Sequence, residues 1–105
     1  MRMMVSVSIP VEGGNAGIKN GALMTLVQNF LAERKPEAAY FFADEDGRRS
    51  GFMVIDVKDS SEIPGIAEPW FLALNAQVKV FPVMNAQDLA SARSGIESAV
   101  KAFGG

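Results

Sequence analysis

The chain has 105 residues, 49% of them hydrophobic and 21% charged, a composition typical of one globular domain with a single core. It has no cysteine and no histidine, which excludes disulfides, thiolate chemistry and the commonest general base and metal ligand. The net charge of −2 argues against the basic surface that nucleic-acid binding needs. We expect one domain over residues 1–105, cytoplasmic, with no membrane segment, metal or cofactor.

The first third of the chain predicts a strand, a loop and a helix. Residues 3–9 alternate apolar and polar side chains, as a half-buried strand does, and Pro10 ends the pattern. The glycine-rich residues 13–17 predict a loop. From Ile18 to Arg34 apolar side chains recur at helical spacing, and Pro36 stops this helix.

The middle of the chain predicts a β-hairpin. Residues 37–43 are rich in aromatic side chains, which favour strands, and a second strand is predicted from residue 49 to 57. The Asp46-Gly47 pair between them predicts a tight turn, because both central residues of such a turn adopt positive φ.

The last third predicts a helix, a strand and a second helix. The Ser60-Ser61 pair is expected to cap the first helix, and Pro69 to kink or split it. Residues 76–82 predict the last strand, and Asn85 predicts the cap of a C-terminal helix. We expect that helix to face the core with one apolar stripe, made of Leu89, Ala92, Ile96, Ala99, Val100 and Phe103.

The element order β-α-β-β-α-β-α predicts an α+β fold of the ferredoxin-like kind. Right-handed crossovers then give a four-stranded antiparallel sheet in the order 4-1-3-2, with every helix on one face and a C-terminal helix added. The other face is expected to be apolar, with Met4, Phe52, Val54 and Phe81. Because such a face typically meets a partner, we predict that a second copy packs on it, sheet against sheet.

Several segments between residues 37 and 90 carry a resemblance to a known superfamily. They have the sequences AYFF (39–42), DGRR (46–49), FMVI (52–55), PWF (69–71) and VFPVM (80–84). With the element order, they resemble the dimeric α+β barrel superfamily, and within it small bacterial proteins related to muconolactone isomerase. The resemblance implies a homodimer or larger ring, often with a small-molecule cavity and no fixed cofactor. Other members use a histidine for haem binding or proton transfer, and this chain has none.

A polar cluster on the helix-free face is the first candidate site. Ser6 and Ser8 of the first strand are predicted to lie between Asp56 and Lys79, which would be about 10 Å apart at two strand spacings. Hydroxyls and opposite charges beside aromatic walls are typical of a pocket for a small polar ligand. Asp56 would act as a general base and Lys79 would hold an anion. In the alternative interpretation, Asp56 is a solvated strand end and Lys79 protects an edge strand.

Tyr40 and Trp70 are the second candidate pair. Each has an apolar body and one polar group that needs a partner when buried, so the two side chains are expected to line a cavity mouth. The alternative is that they anchor the core or an interface between chains.

These patterns together predict a homodimer that binds a small polar or aromatic metabolite between its sheets. It would be either a cofactor-independent, isomerase-like enzyme or a binding protein. A perturbed pKa of Asp56 or Tyr40 in a closed cavity would favour the enzyme. The alternatives are a non-catalytic oligomeric interaction module without a ligand pocket, and a regulatory metabolite-binding domain.

Overall fold

The computed structural model describes residues 1–105 as four strands, five α-helices and one short 3₁₀ helix. In chain order these are β1 (Arg2–Ile9), α1 (Val11–Lys19), α2 (Ala22–Arg34), β2 (Ala38–Ala43), β3 (Arg49–Asp56), the 3₁₀ turn (Ser60–Glu62), α3 (Ile63–Leu74), β4 (Gln77–Pro82), α4 (Ala86–Ser91) and α5 (Arg93–Phe103). None of these helices is long and apolar enough to cross a membrane.

The four strands form one antiparallel sheet in the order β2-β3-β1-β4. The predicted order 4-1-3-2 and the α+β ferredoxin-like class are therefore confirmed. In the register of the sheet, Ser6 of β1 lies opposite Phe52 of β3 on one side and Lys79 of β4 on the other. This register determines which side chains meet on the helix-free face.

The core lies between the sheet and α2 and α3. Alternate side chains of β1 and β3 point into it, and Val5, Met53 and Ile55 are at most 1% exposed. Ile66, Trp70 and Leu74 of α3 close the core from the helix side. Each buried aliphatic side chain of this size contributes roughly 1.5–3 kcal/mol, so this layer holds the domain together.

The glycine-rich segment forms helix α1, so the predicted loop over residues 13–17 is wrong. The reason is close packing against the end of α3. A Cβ at Gly13 would come within 2.4 Å of the Leu74 carbonyl oxygen, and one at Gly17 within 2.5 Å of the Leu74 side chain. Glycine costs a helix about 1 kcal/mol per residue, and here it permits a contact that no other residue allows.

The predicted hairpin is confirmed, but its turn is wider than predicted. Residues 44–48 connect β2 and β3, and the backbone N–H of Asp44 donates to the carbonyl of Arg48 at 2.9 Å. Gly47 alone adopts positive φ, at 74°. The turn is longer than the expected two residues because the Asp44 side chain itself accepts backbone hydrogen bonds within it.

Helix α3 begins and continues differently from the prediction. Asp59, and not the Ser60-Ser61 pair, caps the 3₁₀ turn that leads into α3: its side chain accepts from the Ser61 backbone N–H, and the Glu62 side chain accepts from the Asp59 backbone N–H. The helix runs unbroken from Ile63 to Leu74 with Pro69 inside it, so the predicted split is wrong. Buried residues on both sides of Pro69 hold the two turns against the sheet, which offsets the lost hydrogen bond.

The C-terminal region is the largest departure from the prediction. Asn85 caps α4 as predicted, with its side chain accepting from the Asp88 backbone at 2.8 Å. However, the chain turns at Ala92, and α5 packs closely only against α4. The predicted inward stripe is exposed, so that prediction is wrong: Leu89 is 52%, Ile96 52%, Val100 62% and Phe103 89% accessible. The molecule measures 58 × 29 × 20 Å along its principal axes.

Candidate functional site

The helix-free side of the sheet, here called the open face, carries alternate side chains of all four strands. It comprises Arg2, Met4, Ser6, Ser8, Ala38, Tyr40, Phe42, Ser50, Phe52, Val54, Asp56, Gln77, Lys79 and Phe81. The predicted apolar members of this face all lie on it. None of its side chains is buried, whereas the neighbouring residues of β1 and the later part of β3 on the helix side are. The chain therefore leaves this surface uncovered.

One half of the open face is apolar. Met4 lies between Val54 and Phe81 in the register. Across the strands, the Phe52 ring lies 5.4 Å from Tyr40 and 6.1 Å from Phe42, centroid to centroid. Aromatic side chains arranged this way form a continuous wall.

The other half, towards the hairpin, is a polar concavity of about 280 Å³, here called the hairpin cleft. Its lining residues are Ser6, Val7, Ser8, Phe42, Asp44, Glu45, Asp46, Arg48, Ser50, Gln77 and Lys79. Strand pairing produces this cluster, because Ser8 lies opposite both Ser50 and Gln77. Hydroxyls, one amide and opposite charges thus meet beside an aromatic wall, as in small polar ligand sites.

Asp44 organises the hairpin cleft. Its Oδ1 accepts the backbone N–H groups of Asp46 and Arg48, both at 2.9 Å. Its Oδ2 accepts the hydroxyl of Ser50 at 3.1 Å and that of Ser8 at 3.4 Å. These bonds, led by the one from the Arg48 backbone, hold the pKa of Asp44 below its ordinary value. Asp44 is therefore a fixed anion that orients two hydroxyl groups.

The orientation of those hydroxyls sets the chemistry of the cleft. A serine has one hydrogen to donate, and Ser8 directs its hydrogen to Asp44. The Ser50 hydroxyl lies 3.1 Å from both Asp44 Oδ2 and the Arg48 carbonyl, so its hydrogen is also used within the hairpin. The oxygen lone pairs of both serines remain as acceptors, while Lys79 supplies a positive charge at the edge.

The structure brings together only part of the first predicted site. Ser6, Ser8 and Lys79 line the hairpin cleft, and Asp56 does not. Asp56 lies opposite Arg2, four residues along the strand from the Ser6–Lys79 pair, which makes its separation from Lys79 about 16 Å rather than 10 Å. The predicted spacing is therefore wrong, because it counted strands and left out the register.

Asp56 has a different partner at the far end of the sheet. Its carboxylate accepts from the N-terminal ammonium of Met1 at 2.9 Å, and its side chain is 68% exposed. That hydrogen bond lowers the pKa of Asp56, the reverse of the shift that a general base at neutral pH needs.

Tyr40 and Trp70 lie on opposite sides of the sheet. Tyr40 is on the open face and 60% exposed, whereas Trp70 is 2% exposed in the core. The Trp70 ring meets Phe30 edge to face at 5.6 Å, and its Nε1 has no hydrogen-bond acceptor. The two side chains share no cavity mouth.

Asp44 and Ser50 belong to the hairpin cleft and were not predicted from the sequence. The Asp46-Gly47 pair predicts a turn only, and no sequence pattern marks Asp44 as an acceptor for the serines. Ser50 follows from the register, since it lies opposite Ser8, and Gln77 lies opposite Ser8 on the other side, on the same strand as Lys79. Nowhere does the chain group three acidic side chains that could hold a metal ion.

Comparisons with known proteins identify the fold alone. No protein-family model and no curated protein matches the chain. The 5-chloro-2-hydroxyhydroquinone dehydrochlorinase TftG from Burkholderia phenoliruptrix AC1100, solved with 2,5-dihydroxybenzoquinone, is similar in structure, with a TM-score of 0.60 and 12% identity. The similarity covers 83% of this chain and 97% of that chain.

A second solved structure, a formyltetrahydrofolate deformylase from Pseudomonas putida KT2440, has a TM-score of 0.52 and 16% identity. It matches 79% of this chain and 29% of that chain. Both similarities agree with the ferredoxin-like fold. The relation to muconolactone isomerase stays a prediction.

Proposed function

We propose that this protein is a homodimer whose open faces meet, and that each hairpin cleft binds a small hydroxylated aromatic acid. The observation that carries the proposal is the division of one uncovered sheet face into an apolar half and a polar cleft organised by Asp44. The apolar half is the part that a second copy covers. The polar cleft is the part that keeps room for a ligand.

The exposure of the open face supports the homodimer. Tyr40 is 60%, Phe42 47% and Phe81 38% exposed, all on this one surface. A contiguous apolar patch of this kind is costly in water and typical of an interface. A twofold axis through the face would place the same patch of each copy in contact with itself.

The hydrogen-bonding groups of the cleft support the ligand class. The oxygens of Ser8 and Ser50 are acceptors, which suit ligand hydroxyl groups, and the Lys79 ammonium suits a carboxylate. Phe42 offers a ring face as a wall. TftG, which shares the fold, is solved with a hydroxylated ring compound.

Binding is better supported than catalysis. Asp44 is the only acidic side chain of the cleft that is hydrogen-bonded to its serines, and its lowered pKa makes it a weak general base. An isomerase-like reaction would rely on Lys79 to stabilise negative charge that develops on a ligand oxygen. Ser6, which also lines the cleft, is the remaining hydroxyl near that position.

Calorimetric titration with 3,4-dihydroxybenzoate tests the proposal. We expect saturable binding, and binding of benzoate at least tenfold weaker because it has no hydroxyls to donate to the serines. Lys79→Met should weaken 3,4-dihydroxybenzoate binding at least tenfold, because the carboxylate loses its ion pair. The matched control is Lys101→Met on α5, which lies outside the cleft and should bind as the parent protein does.

The outcomes separate the two function classes. A dimer that binds neither compound would contradict the ligand site and favour the interaction module. Equal binding of both compounds, unaffected by Lys79→Met, would show that the cleft does not select its ligand through these groups.

A further inference from the structure

Helices α4 and α5, here called the arm, carry an apolar stripe that nothing in the chain covers. Ile96, Val100 and Phe103 recur at helical spacing on α5, and each is more than half exposed. Polar residues such as Ser94 and Ser98 occupy the opposite side of the helix. An eleven-residue helix is marginal in water by itself, so its formation calls for a packing partner.

The geometry points to a second copy of this chain as that partner: we infer that the arm of each protomer packs its apolar stripe on the other protomer. The inference rests on the proposed homodimer and adds to it a second contact surface. Three observations favour a second copy over an unrelated protein: the position of the arm, the cleft that joins it to the open face, and the size of that face.

The arm is anchored at the end of the open face away from the hairpin. Arg2, which belongs to that face, forms ion pairs with Glu37 before β2 and with Asp88 of α4. The Arg2 side chain is 26% exposed, so this junction is partly sheltered from solvent. The Asn85 cap and the Arg2 pairing both lower the pKa of Asp88, which keeps it charged at neutral pH. The root of the arm is therefore tied to the same surface that the homodimer would bury.

A cleft with a mixed lining joins the open face to the arm. It has a volume of about 1060 Å³, and its walls are apolar at Pro82, Val83, Met84 and Leu89 but charged or polar at Arg2, Glu37, Asp56, Asn85 and Asp88. A groove along the arm then joins Leu89 to Ile96. A copy that covers the open face therefore meets the arm across this cleft.

The arm adds contact area to an open face of modest size. Strands of six to eight residues, about 4.8 Å apart, give a face of about 400 Å² in projection. Stable interfaces bury roughly 1,200–2,000 Å² of accessible surface in total, and contacts made by the arm would add to those made by the face. The arm spans 18 residues from Ala86 to Phe103, or up to about 27 Å, which is long enough to cross the partner's sheet.

Sedimentation equilibrium on the full-length chain tests the inference. We expect Ile96→Asp combined with Val100→Asp to weaken dimerisation at least 100-fold, because two charges would enter an apolar contact. The matched control, Ser94→Asp combined with Ser98→Asp, adds the same charge to the opposite side of α5 and should leave dimerisation within threefold of the parent. Circular dichroism checks whether both variants are folded.

Each outcome decides between the two proposals. A parent protein that is monomeric contradicts the homodimer and the arm contact together. A dimer that Phe52→Asp dissociates, but that Ile96→Asp with Val100→Asp leaves intact, keeps the homodimer and overturns the arm contact. Equal weakening by the stripe variant and its control also overturns it, because added charge alone would then explain the effect.

Discussion

At the scale of single residues, Asp44 connects fold and candidate site. One carboxylate oxygen closes the hairpin through two backbone N–H groups, and the other fixes Ser8 and Ser50. The same side chain thus sets the turn and the polarity of the cleft. A substitution that keeps the backbone hydrogen bonds of the turn and removes those from the serines separates the two roles of Asp44.

Asp44→Asn is that substitution. The amide oxygen can still accept from the backbone, while the NH₂ group cannot accept from the serine hydroxyls. We expect a lower urea midpoint than that of the parent protein at pH 7. The pKa of Asp44 in the folded protein is below its ordinary value of 3.8, so its stabilising effect is complete above that value.

The stabilising effect of Asp44 is lost as the pH falls through its lowered pKa. The difference in urea midpoint between parent and Asp44→Asn should therefore be constant from pH 7 to about pH 5 and shrink below about pH 4. A difference that stays constant down to pH 3 would show that the charge of Asp44 has no part in the effect.

The residues that share one face of the sheet could be predicted from the sequence, because the alternation of side chains along a strand decides which face each residue is on. Ser6, Ser8 and Lys79 were correctly predicted to share a face, because side chains alternate along a strand. The predicted Asp56–Lys79 distance is wrong because it depends on how β3 and β4 are each registered against β1, and the alternation of side chains does not fix the register between strands that are distant in sequence.

At the scale of elements, helix α1 shows how tertiary packing overrides local signals. The glycine-rich residues 13–17 predict a loop, yet they form part of a helix. Their glycines have no side chains, which allows α1 to touch the end of α3. No local pattern distinguishes these two uses of glycine. The strands and α2, by contrast, have regular apolar periods and were predictable.

Gly13→Ala tests this account of α1. Alanine normally stabilises a helix by about 1 kcal/mol relative to glycine. At Gly13 we expect a loss of roughly 1–3 kcal/mol in the free energy of unfolding, because the Cβ would overlap the Leu74 carbonyl oxygen.

Gly95→Ala is the matched control for urea unfolding. Gly95 lies in α5 with no atom within 4 Å of an added Cβ, so this variant should lose no stability. Equal effects at both positions would contradict the close contact between α1 and α3.

The arm is the element whose surroundings the sequence could not reveal. Its cap at Asn85 and its apolar stripe were both predictable, because they are local features. The direction in which the stripe faces depends on the turn at Ala92 and on the pairing of Arg2 with Asp88, which lie far apart in sequence.

At the scale of the whole molecule, one chain buries few of its residues. Only 17 of 105 are buried, all of them in the layer between sheet and helices, while Phe81, Leu89 and Phe103 lie exposed outside it. A domain of this size depends on burying most of its apolar surface. The two uncovered surfaces, the open face and the arm stripe, are consistent with a molecule completed by its own copy.

Sedimentation velocity across a range of protein concentrations tests the central claim most directly. We expect the sedimentation coefficient of the parent protein to give twice the mass of one chain. Phe52→Asp should sediment as a folded monomer, because it would bury an unpaired carboxylate at a cost of several kcal/mol. Leu72→Asp, a matched change at an 81% exposed position on the helix side, should remain a dimer. A parent protein that stays monomeric, or a Phe52→Asp variant that dimerises as the parent does, would contradict the account.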